Sequence, residues 1–257
     1  MRSESPKVWI LGAGPGDPEL ITVKGLKVIQ KADVILYDAL VSTELLDYAP
    51  IGCKKIYVGK RKGHKEFPQE EINQLILFYA IRYGCVVRLK GGDPNVFGRG
   101  HEEMEYVKCR GIAVEMISGI SSVLAAPAAA GIPLTKRGIN ESFWVITGTL
   151  SSGEISNDIS LAAQSTATVV ILMGMTHLQK IVGLFQQFRS QREPMALIQQ
   201  ATTAHQKIVI GTAGDIVQRG IESNISSPAV IVIGKVVNES EITNLLVSVN
   251  STVIAED

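Results

Sequence analysis

Cysteine is scarce: Cys53, Cys85 and Cys109 are the three in 257 residues. None stands in a Cys-x-x-Cys spacing and an odd one is left over, which excludes a disulfide framework and a thiolate zinc site and fits a reducing cytoplasm. Histidine is equally sparse, and His64, His101, His177 and His205 lack the spacing of metal ligands, so no metal centre is expected. An excess of charge of one sign is missing too. With 25 Lys and Arg against 25 Asp and Glu, the chain has no overall field for nucleic acid or an anionic membrane surface. No run reaches the ~18 apolar residues of a membrane span, and polar Met1 to Lys7 leads only to Val-Trp-Ile-Leu before Gly12, so no signal peptide is read.

What is present is a globular chain able to bury a large core, with 46% hydrophobic and 19% charged residues. Short apolar runs at Val8 to Leu11, Val34 to Tyr37, Lys54 to Val58, Val86 to Leu89 and Ala113 to Ile117 read as strands. Helical patterns separate them at Ile21 to Gln30, Gln69 to Tyr83 and His101 to Lys108. Strands alternating with helices spell an α/β fold with a mostly parallel sheet, because parallel neighbours need crossover connections. Ser118-Gly119-Ile120-Ser121-Ser122 breaks this pattern and opens a small-residue segment, Val123 to Gly131, suited to close packing. The second half repeats the theme, with strands at Phe143 to Thr147, Thr168 to Met173, Met195 to Gln199, Lys207 to Ile210 and Ala229 to Ile233, and an amphipathic helix around Leu178 to Phe188. The expected domains are 1–117 and 118–240, followed by a peripheral tail at 241–257.

The loop after the fourth strand is the strongest functional signal. Gly91, Gly92, Gly98 and Gly100 fall within ten residues, more than a plain turn needs, and let backbone approach a ligand closely. Asp93 is the carboxylate in their midst, held extended by Pro94. An acceptor beside exposed N–H groups suits a nucleoside joined to an amino acid and repels phosphate. Gly12-Ala-Gly-Pro-Gly-Asp-Pro18 begins like a dinucleotide fingerprint but fails it: Asp17 takes the third glycine's place, and Pro15 removes an N–H that a pyrophosphate needs. Asp38 closes a strand where open α/β sheets place ligands; its bland alternative is a cap for the following Ser-Thr-Glu-Leu-Leu segment. Lys60, Arg61, Lys62, His64 and Lys65, five potential cations in six residues, form a local anion site unless they are simply a solvated loop.

These elements occur in an order that resembles the tetrapyrrole methylase family. The residues carrying the likeness are Gly-Ala-Gly-Pro-Gly-Asp-Pro-Glu-Leu-Ile-Thr at 12–22, Tyr37-Asp38, Val58-Gly59-Lys60-Arg61, Gln69-Glu70-Glu71-Ile72-Asn73, the Lys-Gly-Gly-Asp-Pro loop with Phe-Gly-Arg-Gly, Gly131-Ile132-Pro133-Leu134-Thr135 and Met173-Gly174-Met175. Val-Gly-Lys-Arg with the Gln-Glu-Glu-Ile-Asn helix points to the branch that methylates uroporphyrinogen III, rather than to sister methylases acting on other precorrins. The family pattern is not followed at Asn95, His101, Ser118, Ala201, Lys136-Arg137-Gly138 and Thr149.

The resemblance implies two α/β domains with mixed, mostly parallel sheets and a cleft between them, in a cytoplasmic homodimer. It implies S-adenosyl-L-methionine as methyl donor, S-adenosyl-L-homocysteine as by-product, and methylation of uroporphyrinogen III at C2 and C7 to precorrin-2 for sirohaem or cobalamin. Cofactor positions then fall on Pro15, Gly91, Gly92, Asp93, Val96, Ser121, Ser122, Met173, Ala201 and Ala229. Asp38 takes the place of proton acceptor and Lys60 that of proton donor. Arg61, Lys62, Lys65, Arg99 and Arg137 would meet the substrate's carboxylates. Neither a nucleic acid nor a membrane is an expected partner, and no metal is needed, since a sulfonium methyl is already electrophilic. A nicotinamide-dependent dehydrogenase is the rival from a different class, disfavoured by Asp17 and Pro15.

Overall fold

The computed structural model describes residues 5–59 and 67–240. The chain divides after Ser121 into two compact units. In the first, β1 (Lys7–Gly12), α1 (Val23–Ile29), β2 (Val34–Tyr37), β3 (Lys54–Tyr57), α2 (Gln69–Tyr83), β4 (Cys85–Lys90), α3 (Gly100–Lys108) and β5 (Ala113–Ile117) follow one another. The sheet order is β3-β2-β4-β1-β5, and every ladder is parallel.

Alternation along the strands assigns the two faces. Leu11, Ile35, Val87 and Leu89 pack with Val28 and Ile29 of α1. Val8, Ile10, Val34, Leu36 and Val86 pack with Ile72, Ile76 and Ala80 of α2 and Val107 of α3. The connection leaving β1 therefore runs over one face and the connection leaving its neighbour β4 runs over the other. That divergence is a topological switch point, where the carboxyl ends of parallel strands leave a crevice. Ser118 to Ser121, read in the sequence as opening the second domain, stay with this unit, because Gly119 packs on Gly12 and Gly92.

The second unit contains α4 (Ser122–Ala129), β6 (Phe143–Thr147), α5 (Asp158–Gln164), β7 (Thr168–Leu172), α6 (Leu178–Phe188), β8 (Pro194–Gln199), β9 (Lys207–Thr212), α7 (Ile216–Glu222) and β10 (Ala229–Ile233). Its sheet order is β6-β7-β10-β8-β9. Only β6 and β7 pair in parallel; β10 runs antiparallel to β7 and β8, and β9 antiparallel to β8. The repeated theme thus does not extend to strand direction. Residues 200–206 between β8 and β9 are too few for the crossover that a parallel pair requires. Phe185 and Ile181 of α6, Ile159 of α5 and Ile216 of α7 bury against Ile171, Leu197 and Ile231.

Two departures from the sequence reading have local causes. The small-residue segment is a helix, α4, with Ala125, Ala126 and Pro127 buried. Alanine favours helix but carries little periodic signal. The short helix α5 escaped notice for the same reason, as it buries Ile159 together with only Ala162 and Ala163, and seven-residue α7 because it buries only Ile216 and Gly220. The tail at 241–257 lies outside the described residues.

Candidate active site

At the carboxyl edge of the first sheet, the loops after β1 and β4 are stitched together. Ala13 N donates to Lys90 O at 2.7 Å, Gly92 N to Gly14 O at 2.7 Å and Gly14 N to Gly92 O at 3.2 Å. The first bond continues the parallel β1–β4 pairing, the other two close an antiparallel bridge between Gly14 and Gly92, and together they occupy N–H groups that a phosphate nest would need, a second argument against a dinucleotide. Asp17 is committed locally as well: it caps the 3-10 turn Pro18–Leu20, its Oδ1 accepting from Glu19 N at 2.9 Å. Thr22 caps α1 by accepting from Gly25 N.

Three glycine backbones floor the crevice. A Cβ on Gly119 would stand 2.3 Å from Gly92 O, and one on Gly12 would stand 2.5 Å from Gly119 N. Gly92 itself has φ +67°, a left-handed conformation that side-chain-bearing residues rarely adopt. Gly91 and Gly92 are partly exposed, so some of their backbone stays open to the crevice. Asp93, which the sequence aims outward, turns partly inward: Oδ2 accepts from Gly119 N at 3.0 Å and Oδ1 from Asn95 N at 2.7 Å. The carboxylate ties the loops after β4 and β5 together, and each oxygen keeps a further lone pair for a ligand. Pro15 and Val96 are half-buried on the flanking loops, and Ser121 is buried just past β5.

Asp38 follows β2 on the same edge, its side chain three-quarters buried. It is not the cap of the next helical segment, whose N-cap is Ser42. Instead Oδ1 accepts from Leu40 N at 3.1 Å and Gly91 N at 3.4 Å, while Oδ2 faces Arg88 Nη2 at 3.5 Å. Lys60, Arg61, Lys62 and Lys65 lie outside the described residues. Arg99, in a left-handed conformation at the start of α3, makes a two-pronged ion pair with Glu102, Nε to Oε1 at 3.1 Å and Nη2 to Oε2 at 2.6 Å. That hydrogen-bonded pairing raises the Arg99 pKa and lowers that of Glu102.

The second unit gathers its own candidates at one sheet edge. β7 ends just before Met173, β8 just before Gln200 and Ala201, and antiparallel β10 begins at Ala229, opposite Gln199. Met173 is 52% exposed with φ +54°, and Ala201 is buried between left-handed Gln200 and Thr202. Ser122 opens α4, and Arg137 is exposed on a turn closed by a bridge between Lys136 and Asn140. Among the described residues, no group of His, Cys, Asp and Glu could hold a metal ion.

The sequence reading missed a buried ionic cluster behind Asp38. It treated Val86 to Leu89 as an apolar run, yet Arg88 and Lys90 alternate with Val87 and Leu89 and so share the face towards α2 and α3. There they meet Glu103: Arg88 Nε lies 3.1 Å and Lys90 Nζ 3.0 Å from its Oε1. Two cations two residues apart on a strand, with a carboxylate on the next helix, was the available signal. Burial pushes the Lys90 ammonium below its ordinary value, Arg88 adds to the effect, and Glu103 opposes it.

The sign of that shift sets an alkaline signature. Between Lys90's lowered native pKa and the 10.5 of an unperturbed lysine, the unfolded chain binds more protons than the folded one, so Lys90 makes stability rise with pH across that window. Lys90→Met is expected to remove this rise. Urea unfolding of both proteins at a series of pH values up to about 10 checks it; equal slopes would contradict it.

Comparison with known proteins follows the same architecture. The family pattern for Tetrapyrrole (Corrin/Porphyrin) Methylases matches residues 7–217. The chain is 49% identical over 234 residues to the uroporphyrinogen-III C-methyltransferase of Methanocaldococcus jannaschii, covering 90% of this chain and 97% of that one. Among solved structures, it is similar to uroporphyrin-III C-methyltransferase from Thermus thermophilus complexed with S-adenosyl homocysteine, with TM-score 0.78, 37% identity and coverage of 90% and 99%. It is also similar to a cobalt precorrin-4 methyltransferase, with TM-score 0.81, 31% identity and coverage of 90% and 95%.

Proposed function

The chain belongs to the tetrapyrrole (corrin/porphyrin) methylases, and from that membership we propose that it transfers methyl groups from S-adenosyl-L-methionine to C2 and C7 of uroporphyrinogen III. The products are precorrin-2, for sirohaem or cobalamin formation, and S-adenosyl-L-homocysteine. The observation that carries the reading is the 49% identity extending over 97% of a relative bearing that activity in its name.

The first unit fits such a cofactor at the crevice after β1 and β4. A floor of bare glycine backbone admits a flat nucleoside closely, and Asp93 keeps lone pairs for hydroxyl or ammonium donors. In this reading Pro15, Gly91, Gly92, Asp93, Val96 and Ser121 hold it at that crevice. When bound, the sulfonium supplies an electrophilic methyl group. The chain's own residues position the macrocycle, exclude water and manage a proton. Asp38 is the proton acceptor through Oδ2, the oxygen turned to Arg88, and Lys60 is the donor. Orientation of the partners can be worth ~7–11 kcal/mol, against ~3–5 kcal/mol for acid–base help, so positioning dominates.

Arg61, Lys62, Lys65, Arg99 and Arg137 meet the substrate's carboxylates. Tetrapyrrole affinity is therefore expected to fall several-fold as salt rises from about 0.05 to 0.5 M, while S-adenosylhomocysteine affinity holds. Calorimetric titrations of the two ligands separate these cases, and equal losses would remove the cationic site. The protein is read as a cytoplasmic homodimer, which sedimentation at micromolar concentration tests; neutral charge argues against nucleic acid. No helix among the described residues is long and apolar enough to cross a membrane.

The deciding assay supplies S-adenosylmethionine and uroporphyrinogen III and follows product mass and colour. A doubly methylated product is expected. Methylation of another precorrin, with uroporphyrinogen III left unchanged, would favour a sister activity such as that named for the precorrin-4 enzyme.

A further inference from the structure

The ionic cluster behind Asp38 is built for alignment rather than for stability. Glu103 is fully buried, Arg88 is 3% exposed and Lys90 is 5% exposed. Buried ion pairs give little net stability compared with apolar residues of the same volume, because desolvation offsets the attraction. Their geometry here has a direction. Glu103 Oε1 collects three donors: Arg88 Nε at 3.1 Å, Lys90 Nζ at 3.0 Å and Gln69 Nε2 at 3.1 Å. Its Oε2 has no hydrogen-bond partner among the described residues. Gln69, the first residue of the Gln-Glu-Glu-Ile-Asn stretch, also donates to Asn73 Oδ1 at 3.1 Å, so its amide bridges this carboxylate to the last residue of the stretch, one helical turn on.

Arg88 is locked by what surrounds it. Glu103 holds Nε, and Nη1 donates to Leu89 O at 3.0 Å and Leu36 O at 3.5 Å, the latter near the end of β2. A planar guanidinium fixed at two corners has one corner left, and Nη2 faces Asp38 Oδ2 at 3.5 Å. The other oxygen of Asp38 accepts from Leu40 and from Gly91 in the cofactor loop. Around Asp38 the charged groups are thus Arg88 in contact, Lys90 within electrostatic range and Glu103 behind both.

We propose that Glu103 is a positioning residue that acts through the Arg88 fork on Asp38, with Gln69 keeping its carboxylate in place. This deepens the methyl-transfer reading and rests on it. It accounts for a buried carboxylate that does not reach the crevice, and for arginine rather than lysine at position 88.

The test is a double-mutant cycle on the full chain. Glu103→Gln keeps the shape and removes the charge, and is expected to lower kcat roughly tenfold to a hundredfold, the scale of an ångström-sized misplacement. The KM for S-adenosylmethionine and the calorimetric affinity for S-adenosylhomocysteine should stay within about twofold, because the glycine floor makes no use of the cluster. In an Asp38→Asn background the same substitution should cost less than about twofold, since a residue acting through Asp38 has nothing left to act on. Arg88→Lys, with the charge kept and the fork lost, should reproduce the kcat loss.

If Glu103→Gln does not fold, Gln69→Ala removes one donor while leaving the ion pairs intact, and the same non-additivity with Asp38→Asn is expected at a smaller, few-fold scale. Additive losses, or a raised cofactor KM with kcat unchanged, would overturn the proposal while leaving the methyltransferase reading intact. Absence of methyl transfer by the unaltered protein would overturn both.

Discussion

Gly92→Val is expected to remove methyl transfer almost entirely, and to cost more than Asp38→Asn. Gly92 sits at φ +67°, where a β-branched residue is strongly disfavoured, at a cost of about 1–3 kcal/mol or more. The chain cannot relax that angle cheaply, because Gly92 N and O are both tied to Gly14 and the two loops would have to separate. The proposed nucleoside cradle is thereby misplaced, and with it the ~7–11 kcal/mol available from orientation. Asp38→Asn removes the proposed proton acceptor, a loss of about 10²–10⁴-fold, but leaves the glycine loops standing. Steady-state rates with both substrates, alongside S-adenosylhomocysteine binding, decide between them. An inactive Asp38→Asn beside a near-normal Gly92→Val would refute the primacy of positioning.

Gly119→Ala carries the second large effect, although a single methyl group is added. Its Cβ would meet Gly92 O at 2.3 Å and the Cα and C of Gly12 at 2.8 Å, all backbone atoms with no rotamer to give way. Relief requires the ends of β1, β4 and β5 to part, which also stretches the bond from Gly119 N to Asp93. A stability loss of about 1–3 kcal/mol is expected from overpacking, with S-adenosylhomocysteine affinity falling more than about a hundredfold, or roughly 2.7 kcal/mol. Gly183→Ala is the control: this helical glycine of α6 has nothing within 4 Å of the place its new methyl group would take, and the change should stabilise by about 0.5–1 kcal/mol. Thermal unfolding and calorimetry read both. Unchanged ligand affinity in Gly119→Ala would mean that the glycine floor is not part of the site.

Much of this was legible along the chain because it depends on near neighbours. Gln69 to Tyr83 declares itself by apolar spacing, and Ile72, Ile76 and Ala80 are indeed its buried face. The glycine-rich loop is legible because glycine density is a local property, and the place of Asp38 because a carboxylate at a strand end is. The ionic cluster was not, since its meaning needs Glu103 of α3 to be brought against β4. Taken alone, Arg88 merely interrupts a hydrophobic run. Asp93 was half-read: the sequence shows an acceptor, but its bond to Gly119 joins residues 26 apart.

The order of the strands, the helices α1, α2, α3 and α6, the parallel character of the first sheet, the glycine-rich loop and the family were all settled by the sequence, because each rests on periodicity or on contiguous motifs. Folding in three dimensions settled which neighbours those motifs acquire. It inserted β4 beside β1 so that Gly14 meets Gly92, turned β8, β9 and β10 antiparallel, and buried Glu103 behind Arg88. The reason is that such pairings are chosen by long-range burial and loop closure, whose free energy is shared across the whole core and is written in no single stretch of chain.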